Sequence, residues 1–180
     1  MEKVKVFVPL AEGFEEIEAI TVIDVLRRAG IRVDTAGAPG VVVTGAHGVK
    51  VWTDKKLNDI QPEEYDGIIL PGGDPGYKNL ARMTNLTEWI KKMNEQKKLI
   101  AAICASPLIL ARAGILENRK ATIYPGMETE IPYPRGDRVV IDGNIITSQG
   151  PGTAMEFALK IVEMLVGGKK AAELRKALVV

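Results

Sequence analysis

Apolar runs and helix-period stretches alternate along the chain, the pattern of a mostly parallel sheet with helices on both faces. Residues 3–10 read as a first strand. Residues 14–29 place Glu18, Val22, Val25 and Ala29 on one stripe, with Ala19, Ile23 and Leu26 beside it, and Gly30 stops that helix. Residues 31–36 predict the next strand, and the valine-rich pieces 41–44 and 49–52 flank Gly45-Ala46-His47-Gly48 as a hairpin. Residues 67–70 form a short apolar run that ends in Pro71-Gly72-Gly73. A helix over 86–96 with exposed lysines precedes a strand over 99–103, which runs directly into Cys104 and a helix over 105–113 closed by Gly114. Residues 138–147, with Asp142-Gly143 at the centre, carry hairpin turn chemistry. A long helix over 153–166 is predicted to open on a capping box between Thr153 and Glu156. Residues 169–180 read as helical and then apolar, with the sheet or a partner as alternative packing surfaces. No linker, repeat or low-complexity stretch interrupts this order, so residues 1–180 read as one doubly wound α/β domain.

Composition narrows the function. At 180 residues with 46% hydrophobic residues, the chain is long enough to bury roughly two thirds of its unfolded surface without a disulfide or metal. One cysteine and one histidine allow no intramolecular disulfide and no four-ligand zinc cage, so no metal is expected and the thiol is free. A net charge of +1 with interspersed signs gives no footprint for nucleic acid. The absence of a signal-like start and of any membrane-length apolar run leads to the expectation of a cytoplasmic protein without membrane contact.

In open parallel sheets the ligand crevice lies at the carboxyl ends of the strands. Three features converge there. The first is Ala101-Ala102-Ile103-Cys104-Ala105-Ser106-Pro107, a strand-to-helix passage without loop residues. It has the layout of a nucleophile elbow, with the small Ala102 and Ser106 two positions either side of the cysteine. A thiol at that helix start is expected to have its pKa lowered from about 8.5; the alternative is a small buried hydrophobe. The second is Glu18, on the apolar stripe while Glu12, Glu15 and Glu16 are free to point to water. Burial there raises a carboxyl pKa and makes a proton donor or general acid/base, whereas a solvated Glu18 would only favour the helix dipole. The third is Leu70-Pro71-Gly72-Gly73, where the Gly73 N–H with that of Ala105 is placed to form an oxyanion hole, a plain tight turn being the alternative. No Lys-Ser/Thr follows the glycines as in a phosphate loop, and the glutamates after the first strand disfavour a flavin phosphate, so no cofactor is expected.

Ala11-Glu12-Gly13-Phe14-Glu15-Glu16-Ile17-Glu18, Leu70-Pro71-Gly72-Gly73, Ala101-Ala102-Ile103-Cys104-Ala105 and Ser148-Gln149-Gly150-Pro151-Gly152-Thr153 together resemble the ThiJ/PfpI superfamily, nearest its branch of the Parkinson-disease protein deglycase and bacterial YajL. The resemblance implies a flavodoxin-like sandwich of the class I glutamine amidotransferase-like type, usually a homodimer. It assigns the nucleophile to Cys104, its carboxyl partner to Glu18 and the backbone donors to Gly73 and Ala105. The implied activity is cofactor-independent glyoxalase conversion of methylglyoxal to lactate, or deglycation of early glycated amino acids and proteins. Oxidation of the cysteine to a sulfinate, in a redox sensor or chaperone with little turnover, is the implied alternative.

Two departures stand out. Several members carry a histidine where this chain has Tyr124, within Ile123-Tyr124-Pro125, leaving Tyr124, with Gly72, as a substrate-orienting candidate. Protease-like members carry a histidine directly after the cysteine; Ala105 stands there and counts against an amidase or peptidase. His47 lies in the hairpin where relatives tend to carry an arginine facing the neighbouring subunit. It is therefore a candidate to reach a partner's Cys104 pocket, the alternative being an exposed turn histidine. Trp52 at the hairpin's far end is either interface core or buried within the monomer.

Overall fold

The computed structural model describes residues 3–180. In chain order the elements are β1 (Lys5–Ala11), α1 (Glu16–Arg28), β2 (Arg32–Ala38), β3 (Val42–Thr44), β4 (Lys50–Trp52), β5 (Lys55–Lys56), β6 (Gly67–Leu70), α2 (Gly76–Ala81), α3 (Thr84–Glu95), β7 (Leu99–Ile103), α4 (Pro107–Arg112), β8 (Val139–Asp142), β9 (Ile145–Ser148), α5 (Ala154–Val166) and α6 (Gly168–Leu178). Seven strands form one sheet in the order β5-β2-β1-β6-β7-β9-β8, parallel except for β8, and β3 and β4 pair as a separate antiparallel ribbon. This is the flavodoxin-like, doubly wound arrangement expected from the alternating pattern.

The pleat divides the core in two. Val6, Val8 and Leu10 of β1 face a cluster with α1, α5 and α6, including Val22, Val25, Phe157 and Leu174. Phe7 of the same strand faces the other cluster, with Tyr65, Leu86, Ile90 and Ile109 beneath α3 and α4. Each of these buried side chains contributes about 1.5–3 kcal/mol of transfer free energy. Such burial on both sides is why the central strands are near-continuous apolar runs rather than alternating ones.

The crevice that holds the site also follows from the register. β1 pairs with β2 as far as Ala11↔Ala38, but its pairing with β6 ends at Phe7↔Ile68. Pro9, which has no N–H to donate, falls beyond that end. The chain winds outward from β1 to β2 in one direction and to β6 and β7 in the other, so the carboxyl ends of β1, β6 and β7 surround the switch point.

Three local expectations require correction. Thr153 forms no capping box with Glu156: its hydroxyl lies 2.6 Å from Ser148 Oγ and accepts from the Gly150 N–H at 3.1 Å, while Glu156 pairs with Arg138 at 3.0 Å. A 3-10 turn at Pro151–Thr153 makes this bend possible and delays α5 to Ala154. The hairpin β8–β9 turns on Gly143-Asn144, one residue later than expected, with Gly143 at φ 61°. The helix after Cys104 is only six residues long. Of the packing alternatives for the C-terminal segment, α6 rests on α5 through Ala171 and Leu174.

Candidate active site

Cys104 follows β7 directly and has φ 64°, a left-handed conformation that costs a non-glycine residue about 1–2 kcal/mol. The surroundings hold it there. Its N–H donates to Ser148 O at 3.0 Å and its carbonyl accepts from the Tyr124 N–H at 2.8 Å. The buried Ser106 hydroxyl donates to Pro71 O at 2.5 Å, tying the start of α4 to the Gly72-Gly73 turn. The elbow read from the small flanking residues is thus present, with its strain paid by hydrogen bonds on both sides.

Glu18 is 0% exposed because its position on the α1 stripe points it into the sheet edge. One oxygen, Oε2, accepts from the Gly72 N–H at 2.7 Å. The other, Oε1, receives no hydrogen bond in this geometry, and the side chain that meets the carboxyl is the Cys104 thiol. Burial, only partly offset by the Gly72 N–H and the thiol, pushes the Glu18 carboxyl up from 4.5 to about 7. The Gly73 and Ala105 N–H groups point at the sulfur. Gly72 has no room for a side chain: a Cβ there would lie 2.5 Å from Cys104 Cβ and 2.9 Å from Glu18 Oε2. Its N–H is committed to the carboxyl.

The thiol does not follow the helix-start expectation. Burial first, and then the charge of Glu18, push it from 9.0 up to about 12, more than the Gly73 and Ala105 amides bring it down. A six-residue helix supplies too little dipole to outweigh a desolvated carboxylate in contact. Burial and the neighbouring carboxylate thus hold the proton on the sulfur, with the Glu18 carboxyl in contact with it.

Above the sulfur opens a cavity of about 490 Å³, walled by Glu15, Asp74, Tyr77, Tyr124, Met127 and Pro151. Tyr124 is half-exposed and its ring packs over Gly150. Glu15, free by its sequence position to point to water, is buried, and its Oε1 accepts from Ile17 N–H at 3.4 Å as the cap of α1. Its place after a Gly-Phe turn at the start of a helix was the available signal. Tyr77 and Met127 carried none, since each reaches the cavity from a segment not read as part of the site. A larger groove, about 720 Å³, lies at the amino ends of the strands, where Lys5 pairs with Glu64 at 3.2 Å.

His47 lies outside the cavity. Its Nδ1 is 3.0 Å from Glu16 Oε2 and 3.6 Å from Glu15 Oε2, and its N–H donates to Glu16 Oε1 at 2.7 Å. The glutamate therefore staples the β3–β4 turn to α1. Trp52 is not buried within the protomer; it is 80% exposed.

Residues 4–164 match the DJ-1/PfpI family. The chain belongs to that family. It is 43% identical over 180 residues to "Protein DJ-1 homolog B" of Arabidopsis thaliana, covering 97% of this chain but only 41% of that protein's length. It is 43% identical over 170 residues to "Glutathione-independent glyoxalase DJR-1.2" of Caenorhabditis elegans, covering 93% of this chain and 91% of the relative. The crystal structure of Drosophila melanogaster DJ-1beta superposes with a TM-score of 0.95 at 40% identity, covering 99% of each chain. The family reading of the four motifs and the flavodoxin-like fold are borne out. No helix among the described residues is long and apolar enough to cross a membrane.

Proposed function

We propose that this DJ-1/PfpI protein is a cofactor-independent glyoxalase and deglycase that uses Cys104 as nucleophile on methylglyoxal-type 2-oxoaldehydes and early glycation adducts, in protection against carbonyl and oxidative stress. The observation that carries the reading is the contact of a strained, amide-faced thiol with a fully buried carboxyl whose pKa is raised to about 7. That value lets Glu18 both accept and return a proton near neutral pH. The glyoxalase name of the Caenorhabditis relative supports the same direction.

In the first step Glu18 takes the thiol proton and the sulfur adds to the aldehyde carbon. The new oxyanion takes the proton back, giving a hemithioacetal. The Gly73 and Ala105 N–H groups face this centre and stabilise the developing negative charge. Glu18 then removes the hydrogen of C1 as a proton, the hydroxyl proton passes from the C1 oxygen to the C2 oxygen, and the resulting enediolate is protonated at C2 by the same carboxyl. C1 is thereby oxidised to a thioester and C2 reduced to an alcohol, with no external electron acceptor. Water cleaves the C–S bond, releases the 2-hydroxy acid and restores the thiol. A glycated amine follows the same covalent course with the amine as leaving group. Tyr124 at the cavity mouth orients the carbonyl.

Lactate formation from methylglyoxal by reduced protein, lost in Cys104→Ser, is the expected result. Reduced protein that makes no lactate above the Cys104→Ser background would sink this reading.

The same sulfur environment supports a second reading, a redox sensor. Two N–H groups and a protonated Glu18 would hold a sulfinate, and a thiol reacting with two equivalents of peroxide gives one with release of water. Intact-mass analysis after mild peroxide is expected to show two added oxygens on Cys104; none would eliminate it. We also propose a homodimer through the exposed apolar face of α1 and the β3–β4 ribbon, where Ile20 and Trp52 wall one shallow cleft.

A further inference from the structure

We infer that the cavity over Cys104 selects by charge, admitting neutral and amine-bearing carbonyl compounds and excluding those that carry a carboxylate or phosphate, and that Glu15 and Asp74 are the specificity-determining residues. This deepens the glyoxalase reading by naming the charge class of its substrates.

The lining carries two carboxyl side chains, those of Glu15 and Asp74, and Glu18 lies beneath them beside the sulfur. Among the described residues that line the cavity there is no lysine, arginine or histidine. Two cations touch these carboxylates from outside the lining: Lys78 Nζ is 2.7 Å from Asp74 Oδ2, and His47 Nδ1 is 3.6 Å from Glu15 Oε2 but nearer, at 3.0 Å, to Glu16 Oε2. Glu15 is the stronger determinant because it is buried and anchored as the α1 cap, so its charge cannot swing into solvent. The other walls are neutral: Tyr77, Tyr124, Met127 and Pro151 offer ring faces and apolar surface.

The Gly73 and Ala105 amides do not reverse this selection. They are aimed at the sulfur, where they stabilise charge created by reaction, and an anionic tail held farther out meets the carboxylates instead. A neutral oxoaldehyde or hydrogen peroxide meets no such barrier, whereas a triose phosphate or an oxoaldehyde with a terminal carboxylate does. A substrate amine gains two acceptors and two aromatic faces.

The test uses alkylation, which does not depend on glyoxalase turnover. Cys104, the single thiol of the chain, is labelled with neutral iodoacetamide and anionic iodoacetate at one pH, and each rate is divided by that of 2-mercaptoethanol. The normalised rates should favour iodoacetamide at least tenfold. Glu15→Gln, which keeps a cap acceptor, should narrow the ratio at least threefold, Asp74→Asn should narrow it less, and 1 M salt should narrow it in the wild type. A ratio near one in the wild type, a ratio that neither variant moves, or failure of iodoacetamide itself to label Cys104 would overturn the inference. Loss of lactate production with the alkylation ratio intact would instead remove the glyoxalase reading and leave the charge selection standing. Where turnover is present, kcat/KM for methylglyoxal over that for 4,5-dioxopentanoate should fall in Glu15→Gln in step with the alkylation ratio.

Discussion

Glu18→Gln isolates the cost of keeping an ionisable group in the crevice. The carboxyl is 0% exposed, accepts one N–H from Gly72 and has no second N–H or O–H donor, so its ionised form is poorly compensated. Its pKa rises on folding from 4.5 to about 7. Below 4.5 both folded and unfolded chains hold this proton and the group makes no pH-dependent contribution. Between 4.5 and about 7 the folded chain keeps the proton while the unfolded chain releases it, so stability falls as pH rises. Above about 7 both have released it and the penalty is complete, about 3 kcal/mol at roughly 1.4 kcal/mol per pKa unit. Glutamine retains an acceptor for the Gly72 N–H and fills the same volume without titrating. Relative to wild type, Glu18→Gln should therefore gain about 3 kcal/mol on going from pH 4.5 to pH 8, or about 6–12 °C in Tm for a chain of this size. Urea unfolding at half-unit steps of pH, stopping at 8 to keep the thiol protonated, measures this directly. A stability difference between the two proteins that is flat across that range would refute the buried, proton-holding carboxyl, and with it the shuttle assigned to Glu18. The same variant should lose Cys104-dependent lactate formation even where it is the more stable protein.

Other perturbations act on the neighbours. Gly72→Ala places a methyl 2.5 Å from Cys104 Cβ and 2.9 Å from Glu18 Oε2, which should cost about 1–3 kcal/mol of stability and about a hundredfold in kcat/KM; full activity would mean the contact is not needed. Trp52→Glu places a charge on the apolar face formed with Ile17, Ile20, Val42 and Val49; sedimentation should change from dimer to monomer, and an unchanged value would move the interface elsewhere. His47→Ala removes a ring already held by Glu16, so activity should stay within threefold of wild type. A larger loss with a displaced pH profile would instead show that the imidazole reaches a partner's Cys104.

How much of this could be read in the sequence depends on the range of the interactions involved. The sheet and its helices were legible because burial on both faces of β1, β6 and β7 writes itself as apolar runs, and the α1 stripe writes itself at helical spacing. Glu18 was legible in part: its line with Val22 and Val25 pointed inward, but a first-turn carboxylate is equally at home in solvent, and only its 0% exposure decides between the two. The elbow was legible from the small residues around Cys104, which its φ of 64° requires. Glu15 and Thr153 were misread where short-range chemistry competes with a tertiary contact. Thr153 is taken from the helix start by Ser148 and Gly150, and Glu156 by Arg138. The thiol pKa could not be read at all, because its sign rests on a balance between two amides and a carboxylate delivered by three separate segments of the chain. That balance alters the chemistry expected of the family motif. A cysteine activated by a helix start alone would be a standing thiolate, reactive toward any electrophile. In the mechanism proposed above, the thiol keeps its proton until Glu18 takes it, so nucleophile and acid are generated in the same transfer. The carboxyl that accepts the proton is then already in place to protonate the carbonyl oxygen of whatever the sulfur attacks.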